Sequence, residues 1–362
     1  MQKLVDRYIT YHFITKSSMT IMIFLVIFLL VDIVENLDHI IDSEIPTFEI
    51  FKYYFYAIPW YVSLSLPMSL LLGIIFTNGT LQKNNELTAI KSAGISIKRI
   101  SIPLIALGII FSIFSFYFDN TIVTELLQKR NDLGIKYNLV RLKKNNIKQK
   151  YIYRQESANT ILGINRYNFR NQTAHNISIL KFNNNKLNTR LDSPIMQWNP
   201  DRNTWELKDF HLRSWEHKTP FFYQKSDKDT TLNLNFDPTS LTQTYVKPEE
   251  MNYWELEDFV KKLNKFGIQD PKWAVNMHFK SAFACSSFLM ILFGLSLSIR
   301  RPRSTLALGI GTSIIVIFIY YAAITTGRSF GFNGTIDPFL SVWIPNLFFF
   351  IIGSYLFYKI QS

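Results

Sequence analysis

Several stretches of this chain are long, apolar and almost free of charge, and they limit what it can fold into. Runs such as 19–34, 62–76 and 102–118 are nearly uninterrupted. Crossing the hydrocarbon core of a bilayer takes roughly 20 apolar residues, whereas a soluble domain has no use for several such runs. The sequence therefore predicts an α-helical membrane protein. Its six predicted transmembrane helices are 17–37, 54–79, 101–122, 276–299, 304–326 and 337–359.

The positions of lysine and arginine orient these spans. Short loops rich in basic residues stay on the cytoplasmic side. The loop 38–50 has none, whereas the two loops after the second and fourth spans contain Lys83, Lys91, Lys98, Arg99, Arg300, Arg301 and Arg303. We therefore expect both termini in the cytoplasm. The net charge of +12 fits this bias, and no nucleic-acid partner is expected.

A polar region separates the third and fourth spans and carries strand signals. Leu232, Leu234 and Phe236 alternate with asparagines, which is the period of a strand. Segments 194–198 and 205–212 flank the turn-forming sequence NPDRN, which predicts a hairpin. We expect an extracytoplasmic all-β domain, a sandwich or jelly roll, at 130–248. It would separate spans one to three, in 1–129, from a connector helix and spans four to six, in 249–362.

The stretch 249–266 has apolar residues at helical spacing. It predicts an amphipathic helix, which either lies near the membrane surface or is an ordinary connector.

The chain lacks the sequence signals of an enzyme. It has no phosphate-binding G-x-x-x-x-G-K-[ST] loop and no G-x-S-x-G elbow, and its six histidines do not pair with Cys or Glu at metal-ligand spacing. Its single cysteine, Cys285, excludes an intrachain disulfide. We expect no catalytic residue, no metal and no cofactor.

The segment NNELTAIKSAGIS at 84–96 predicts a short cytoplasmic helix between spans two and three. Asn84 or Asn85 can cap its start, and Glu86 suits the first turn, where the helix dipole favours a carboxylate. Gly94 can end it in the left-handed conformation. One interpretation is a capped surface helix. The other is a plug whose apolar face, Leu87, Ile90 and Ala93, fits a groove on an ATPase.

Taken together, these features resemble the LptF/LptG family of lipopolysaccharide export permeases over nearly the whole length. The resemblance lies in LVDRYI at 4–9, ELTAIKSAGIS at 86–96, the β insertion, a Tyr-x-Glu-Leu-like helix at 253–256 and the 3+3 arrangement of spans. The segment 86–96 is its most specific part. The sequence LSVWIPN at 340–346 favours the G-like member over the F-like one.

The resemblance implies a transport subunit of the bacterial inner membrane. Family members form an asymmetric pair of paralogous permeases and bind two copies of an LptB-like ATPase. They extract lipopolysaccharide and pass it through jelly-roll domains to a periplasmic bridge of LptC- and LptA-like proteins, with spans one and five lining the lateral entrance.

By the same resemblance, 84–95 is the coupling helix, and its ATPase-coupling residues are Glu86, Leu87, Ile90, Lys91, Ala93 and Gly94. The available lipid-binding residues near the outer surface are Lys52 and Arg328. One departure concerns the end of span one, where family members often carry basic residues near the lipid phosphates. This chain has Asp32, Glu35 and Asp38 there.

Two other functions stay open at this point. The chain could be a membrane-anchored receptor or scaffold whose periplasmic β domain binds a partner or a lipid, or a membrane enzyme acting on envelope lipids. The missing catalytic cluster disfavours the enzyme. Co-purification with an ATPase would separate the transporter from the receptor.

Overall fold

The computed structural model describes residues 2–42, 45–137, 148–157, 159–168, 171–183, 186–200, 202, 204–215, 222–226, 230–232, 248–265, 270–300 and 306–359. The chain forms two compact units. Met1–Leu139 and Lys247–Ser362 make a helical unit, and Val140–Val246 make a second unit whose described elements are strands.

The helical unit contains ten α-helices among its described residues. Before the β unit come α1 (Gln2–Glu35), α2 (Leu37–Asp42), α3 (Thr47–Lys83), α4 (Glu86–Ser92), α5 (Ile97–Phe118) and α6 (Thr124–Lys136). After it come α7 (Tyr253–Lys265), α8 (Pro271–Arg300), α9 (Leu306–Phe332) and α10 (Pro338–Tyr358). A π-helical turn, Asp119–Val123, joins α5 to α6, and a 3₁₀ turn, Pro248–Glu250, precedes α7.

Six stretches are long and apolar enough to cross a bilayer, which confirms the predicted spans. They are Leu4–Glu35, Thr47–Lys83, Ile97–Lys136, Pro271–Ser298, Ala307–Phe332 and Pro338–Tyr358. The third continues well beyond residue 122, where the apolar run stops. Its extension stays helical because a helix does not require apolar residues; Glu125 and Lys129, for example, form an i,i+4 ion pair of 2.6 Å.

Two of the six spans form the centre of the helical unit. The most apolar parts of α3 and α8 are 67% buried, against 11–28% for the other four spans. Around them, large apolar side chains face outward, including Met22 and Val26 on α1 and Phe318 on α9. Such an exterior suits a lipid environment, where apolar side chains need no cover from water.

The apolar core near α4 joins five helices. It contains Ile9 and Phe13 of α1, Leu70 and Ile74 of α3, and further residues of α4, α5 and α8. A second core packs α3, α8, α9 and α10 around Tyr320, whose hydroxyl donates a 2.8 Å hydrogen bond to Asn346. The short helix is therefore part of the packed bundle.

The second unit contains one antiparallel sheet of eight described strands. They are β1 (Lys148–Ser157), β2 (Thr160–Asn168), β3 (Thr173–Asn183), β4 (Lys186–Asn199), β5 (Thr204–Lys208), β6 (Phe210–Ser214), β7 (Phe222–Ser226) and β8 (Thr230–Leu232). The order is β1-β2-β3-β4-β5-β8, and β6 pairs with both β4 and β7. A core around Tyr167, Met196 and Trp205 stabilises it.

The predicted hairpin is confirmed, with one difference. Trp198 of β4 pairs with Trp205 of β5 on either side of the turn. The expected strand 205–212 is divided at Asp209, which has a φ of 50°. This break lets β5 pair with the end of β4 while β6 pairs with its middle. Leu234 and Phe236 of the predicted alternation lie outside the described residues, as do Arg301 and Arg303.

The predicted amphipathic connector is confirmed as α7. Leu256 and Leu263 are buried, whereas Trp254 and Glu255 on the same helix are exposed. The ring of Phe259 packs 4.5 Å from that of Trp273 at the start of α8.

Candidate functional site

The ends of α4 are fixed by backbone conformation. The chain enters through Asn85, whose φ is 61°, and leaves through Gly94, whose φ is 81°. At the exit, Ile95 N–H donates to the Ile90 carbonyl at 3.3 Å and Gly94 N–H to the Lys91 carbonyl at 2.9 Å. These two bonds form a Schellman motif, which confirms Gly94 as the residue that ends the helix.

The predicted side-chain cap at the start of α4 is wrong. Neither asparagine side chain accepts a backbone N–H of the helix. Asn85 instead takes a left-handed backbone conformation, so that α4 can follow α3 after only two residues. The Asn84 side-chain amide donates a 3.0 Å hydrogen bond to Glu86 Oε1.

Both carboxylate oxygens of Glu86 accept hydrogen bonds from this chain. Tyr8 of α1 donates its hydroxyl to Oε2 at 2.9 Å, and Asn84 holds Oε1. Glu86 is only partly exposed. The carboxylate therefore has a defined orientation at the surface of the bundle.

Leu87 and Ile90 of α4 face the chain's own core, whereas Ala93, which was expected on the same face, is exposed. Leu87 is only 5% exposed, and Ile90 packs against the same cluster. They are therefore not on an outward docking face, which corrects the expected role of the Leu87, Ile90 and Ala93 surface. Helical periodicity predicted that Leu87 and Ile90 share a face, but not that this face points inward. It wrongly placed Ala93 on the same face, because the helix ends at Ser92. The exposed residues of α4 and its exit are Thr88, Ala89, Lys91, Ser92, Ala93 and Gly94.

A second candidate site is a cavity of about 440 Å³ enclosed by α3, the π turn, α6, α8, α9 and the 3₁₀ turn. Apolar residues, among them Trp60, Phe279 and Phe283, form most of its wall. Its charged lining residues are Arg130, Lys280, Arg328, Asp119, Glu249 and Glu250. The wall of the cavity thus contains three cations and three carboxylates in a largely apolar surrounding.

Arg130 on α6 is buried, at 8% exposure. Its Nη2 lies 2.7 Å from Asp32 Oδ2 on α1, and its guanidinium carbon lies 4.5 Å from the centre of the Tyr53 ring. Asp32, which departs from the basic pattern of the family, is therefore the counter-ion of a buried arginine. Glu35 and Asp38 are exposed.

Lys280 and Asp119 form a second pair across the helical bundle. Lys280 Nζ lies 3.0 Å from Asp119 Oδ2, and Ser63 of α3 donates its hydroxyl to Oδ1 at 3.3 Å. Pro67 lies four residues after Ser63 and has no N–H. The backbone carbonyl of Ser63 therefore lacks its usual helical hydrogen bond. The network joins α3, the π turn and α8.

Arg328, one of the two predicted lipid-binding residues, lines this cavity. It forms a 2.7 Å ion pair with Glu249, donates to the Asn276 side chain, and lies 4.6 Å from the centre of the Phe279 ring. The Nε groups of Arg328 and Arg130 are buried without an acceptor among the described residues.

Lys52, the other predicted lipid-binding residue, is not in the cavity wall. It is half-buried on α3, where it pairs with Glu49 at 3.4 Å and lies over the ring of Phe48. The two residues are therefore not brought together in one site.

Sequence reasoning missed the residues that hold these sites. Asp6 and Tyr8 were part of the motif LVDRYI, but their partners, Arg99 and Glu86, are far away in sequence. A signal did exist for Asp119 and Lys280, because a charge inside or next to an apolar span is costly and points to a function. No group of three or more His, Cys, Asp or Glu residues suited to a metal occurs in the described part of the chain.

Comparison with known protein families gives one match. The model of the family described as lipopolysaccharide export system permease LptF/LptG matches residues 7–359. It covers nearly the whole chain and does not separate LptF from LptG. A comparison with curated protein sequences gives no match.

Proposed function

Because the chain belongs to the LptF/LptG family of lipopolysaccharide export permeases, we propose that it is the permease subunit of an ABC transporter that extracts lipopolysaccharide from the bacterial inner membrane. A separate LptB-like ATPase drives it, and a paralogous permease completes the membrane part. The β unit, as a periplasmic jelly-roll-like domain, passes the lipid to LptC- and LptA-like bridge proteins.

The observation that carries this proposal is the position of α4. Two residues separate it from α3 and four from α5, and both neighbours are predicted to cross the membrane. A partner that pushes on α4 must therefore move two spans. A receptor or scaffold has no need for a short helix that is fixed in this way between two spans.

The proposed partner surface on α4 comprises Glu86, Lys91 and Ala93. Glu86 offers an oriented carboxylate to a basic residue of the ATPase. Lys91 and Ala93 are exposed and would make further contacts with the same partner. Leu87 and Ile90 act from inside, because they connect α4 to the apolar core. Gly94 sets the direction in which the chain leaves for α5.

The lipid end of the mechanism is assigned to the charged cavity. Arg328 is proposed to bind a lipid phosphate, because its guanidinium is held between Glu249, Asn276 and Phe279 and its Nε remains free of an acceptor among the described residues. Lys52, half-buried and outside the cavity wall, would meet the lipid only at the surface. The basic loops predict that both termini lie in the cytoplasm. The sequence at 340–346 favours the G-like member of the family.

The test is ATP-driven lipid release from reconstituted vesicles, with wild type and Glu86→Ala compared at equal complex levels. We expect the variant to lose ATPase binding or to release less lipid per ATP, because a charge partly buried at an interface is costly to leave without its partner. If Glu86 only favoured the helix dipole, the change would cost about 0.3–1 kcal/mol of stability and leave coupling intact.

Thr88→Ala is a matched control, since Thr88 is exposed on the same helix but carries no charge. The coupling role of Glu86 is wrong if Glu86→Ala binds the ATPase and transports as well as this control. Failure of the wild-type protein to retain an ATPase in mild detergent would contradict the transporter function itself and favour the receptor.

A further inference from the structure

We propose that the first turns of α1 clamp the segment 84–100 and carry its movement into the first span, with Asp6 and Tyr8 as positioning residues. The inference rests on the proposed function. It adds a third route for force from α4, besides the chain connections to α3 and α5.

The first part of the clamp is a two-point ion pair. Arg99, in the first turn of α5, donates from Nη1 to Asp6 Oδ1 at 3.2 Å and from Nη2 to Asp6 Oδ2 at 2.9 Å. Two parallel bonds between a guanidinium and a carboxylate fix orientation as well as distance. The side chains are 37% and 28% exposed, so the value of this pair lies in its geometry more than in its strength.

The second part is the hydrogen bond from Tyr8 to Glu86, 2.9 Å long. Residues two apart on a helix point in different directions. Asp6 and Tyr8 accordingly reach different elements, α5 and α4, from the same turn of α1. The Tyr8 ring also packs edge-on against His12 at 4.4 Å, which supports its orientation.

Apolar contacts join the same elements below these polar ones. Ile9 and Phe13 of α1 are fully buried and share one cluster with Leu87 of α4 and with Ile97 and Ile100 of α5. Val5 packs against this cluster from α1. The start of α1 and the segment 84–100 are therefore expected to move as one body.

The remainder of α1 is largely exposed at the surface of the helical unit, but its end is fixed to α6 by the Asp32–Arg130 pair. Only 11% of its most apolar part is buried within the chain, the lowest share of the six spans. By contrast, α3 is held on several sides and 67% buried. A displacement that reaches both helices will therefore tilt α1 more easily.

The test measures lipid released per ATP hydrolysed, with complexes that contain Asp6→Asn, Arg99→Gln or the reversed pair Asp6→Arg with Arg99→Asp. We expect each single variant to keep its ATPase. The lipid released per ATP hydrolysed should fall about threefold or more, which is a typical effect for a residue in a coupling network. The reversed pair is expected to restore most of it. Arg7→Gln, an exposed cation on the same turn, is the control and should resemble wild type.

Single variants at the wild-type ratio would overturn the inference. So would a loss that the reversed pair does not relieve, or a loss of the ATPase from the complex, which would assign the ion pair to assembly. Tyr8→Phe removes only the hydroxyl and should also lower the ratio; an unchanged ratio would overturn the role of Tyr8. Failure of the proposed function is distinguished by wild type itself, which would then release no lipid with ATP.

Discussion

Arg130 shows how a single buried charge is held within the helical unit. Its guanidinium has one carboxylate, Asp32, and the faces of two tyrosine rings, at 4.5 Å for Tyr53 and 5.9 Å for Tyr61. A cation over an aromatic face gains attraction without a second counter-ion. Among the described residues, Asp32 is the only carboxylate that pairs with Arg130. The position of α6 against α1 therefore depends on this aspartate.

Asp32→Asn is expected to destabilise the helical unit by about 3–5 kcal/mol, because it leaves a buried charge without its partner. The measurement is thermal unfolding of the purified protein in detergent. Glu35→Gln, an exposed acid on the same helix, serves as the control and should unfold like wild type. Equal stability of the two variants would contradict the structural role of Asp32.

Arg328→Lys tests the lipid-phosphate proposal. Lysine keeps the charge but loses the Nε donor and the planar group that lies over Phe279. We expect a lower yield of lipid cross-linking next to this site, with assembly unchanged. Lys52→Arg is the control, because it keeps a cation at a position outside the cavity wall. If Arg328→Lys cross-links lipid as well as wild type does, Arg328 is only an interfacial anchor.

Pairs of helices in this unit approach through small residues, and the sites differ sharply. A Cβ added at Gly327 of α9 would lie 2.2 Å from the Ser341 carbonyl oxygen of α10. At Gly309 it would lie 2.9 Å from Ile75, whereas at Gly311 no atom lies within 4 Å. Gly309 is therefore a close-packing glycine within this chain, but Gly311 is not.

Gly327→Ala is expected to weaken the packing of α9 on α10 by about 1–3 kcal/mol, because a backbone carbonyl cannot move aside like a flexible side chain. Gly311→Ala, on the same helix with open space, should cost nothing. Thermal unfolding in one detergent compares the two variants directly. Alanine also favours the helix more than glycine does, so helix propensity cannot explain a loss of stability. An equal effect of both substitutions would contradict the role of the contact with Ser341.

For the whole molecule, the decisive question is which side of the membrane each unit occupies. The basic loops predict α4 in the cytoplasm and the β unit in the periplasm. The single native cysteine, Cys285, makes this testable, because Cys285→Ala gives a background without thiols. Asn84 and Lys181 are exposed positions in the two regions.

A membrane-impermeant maleimide added from the periplasmic side is expected to label Lys181→Cys and to miss Asn84→Cys. After the membrane is opened, both should react. The background without cysteine controls for unspecific labelling. Reaction of both positions from one side in intact cells would contradict the six-span topology.

The sequence by itself determined the six spans, the strands of the hairpin and the short helix with its Gly94 end. These features depend on hydropathy and on backbone preferences over a few neighbouring residues, so a local pattern contains them. It could not show that Leu87 faces the core, that Tyr8 holds Glu86 across 78 positions, or that Asp32 meets Arg130 across 98. Those contacts arise only when the helices pack, because packing decides which face turns inward and which distant charges become neighbours.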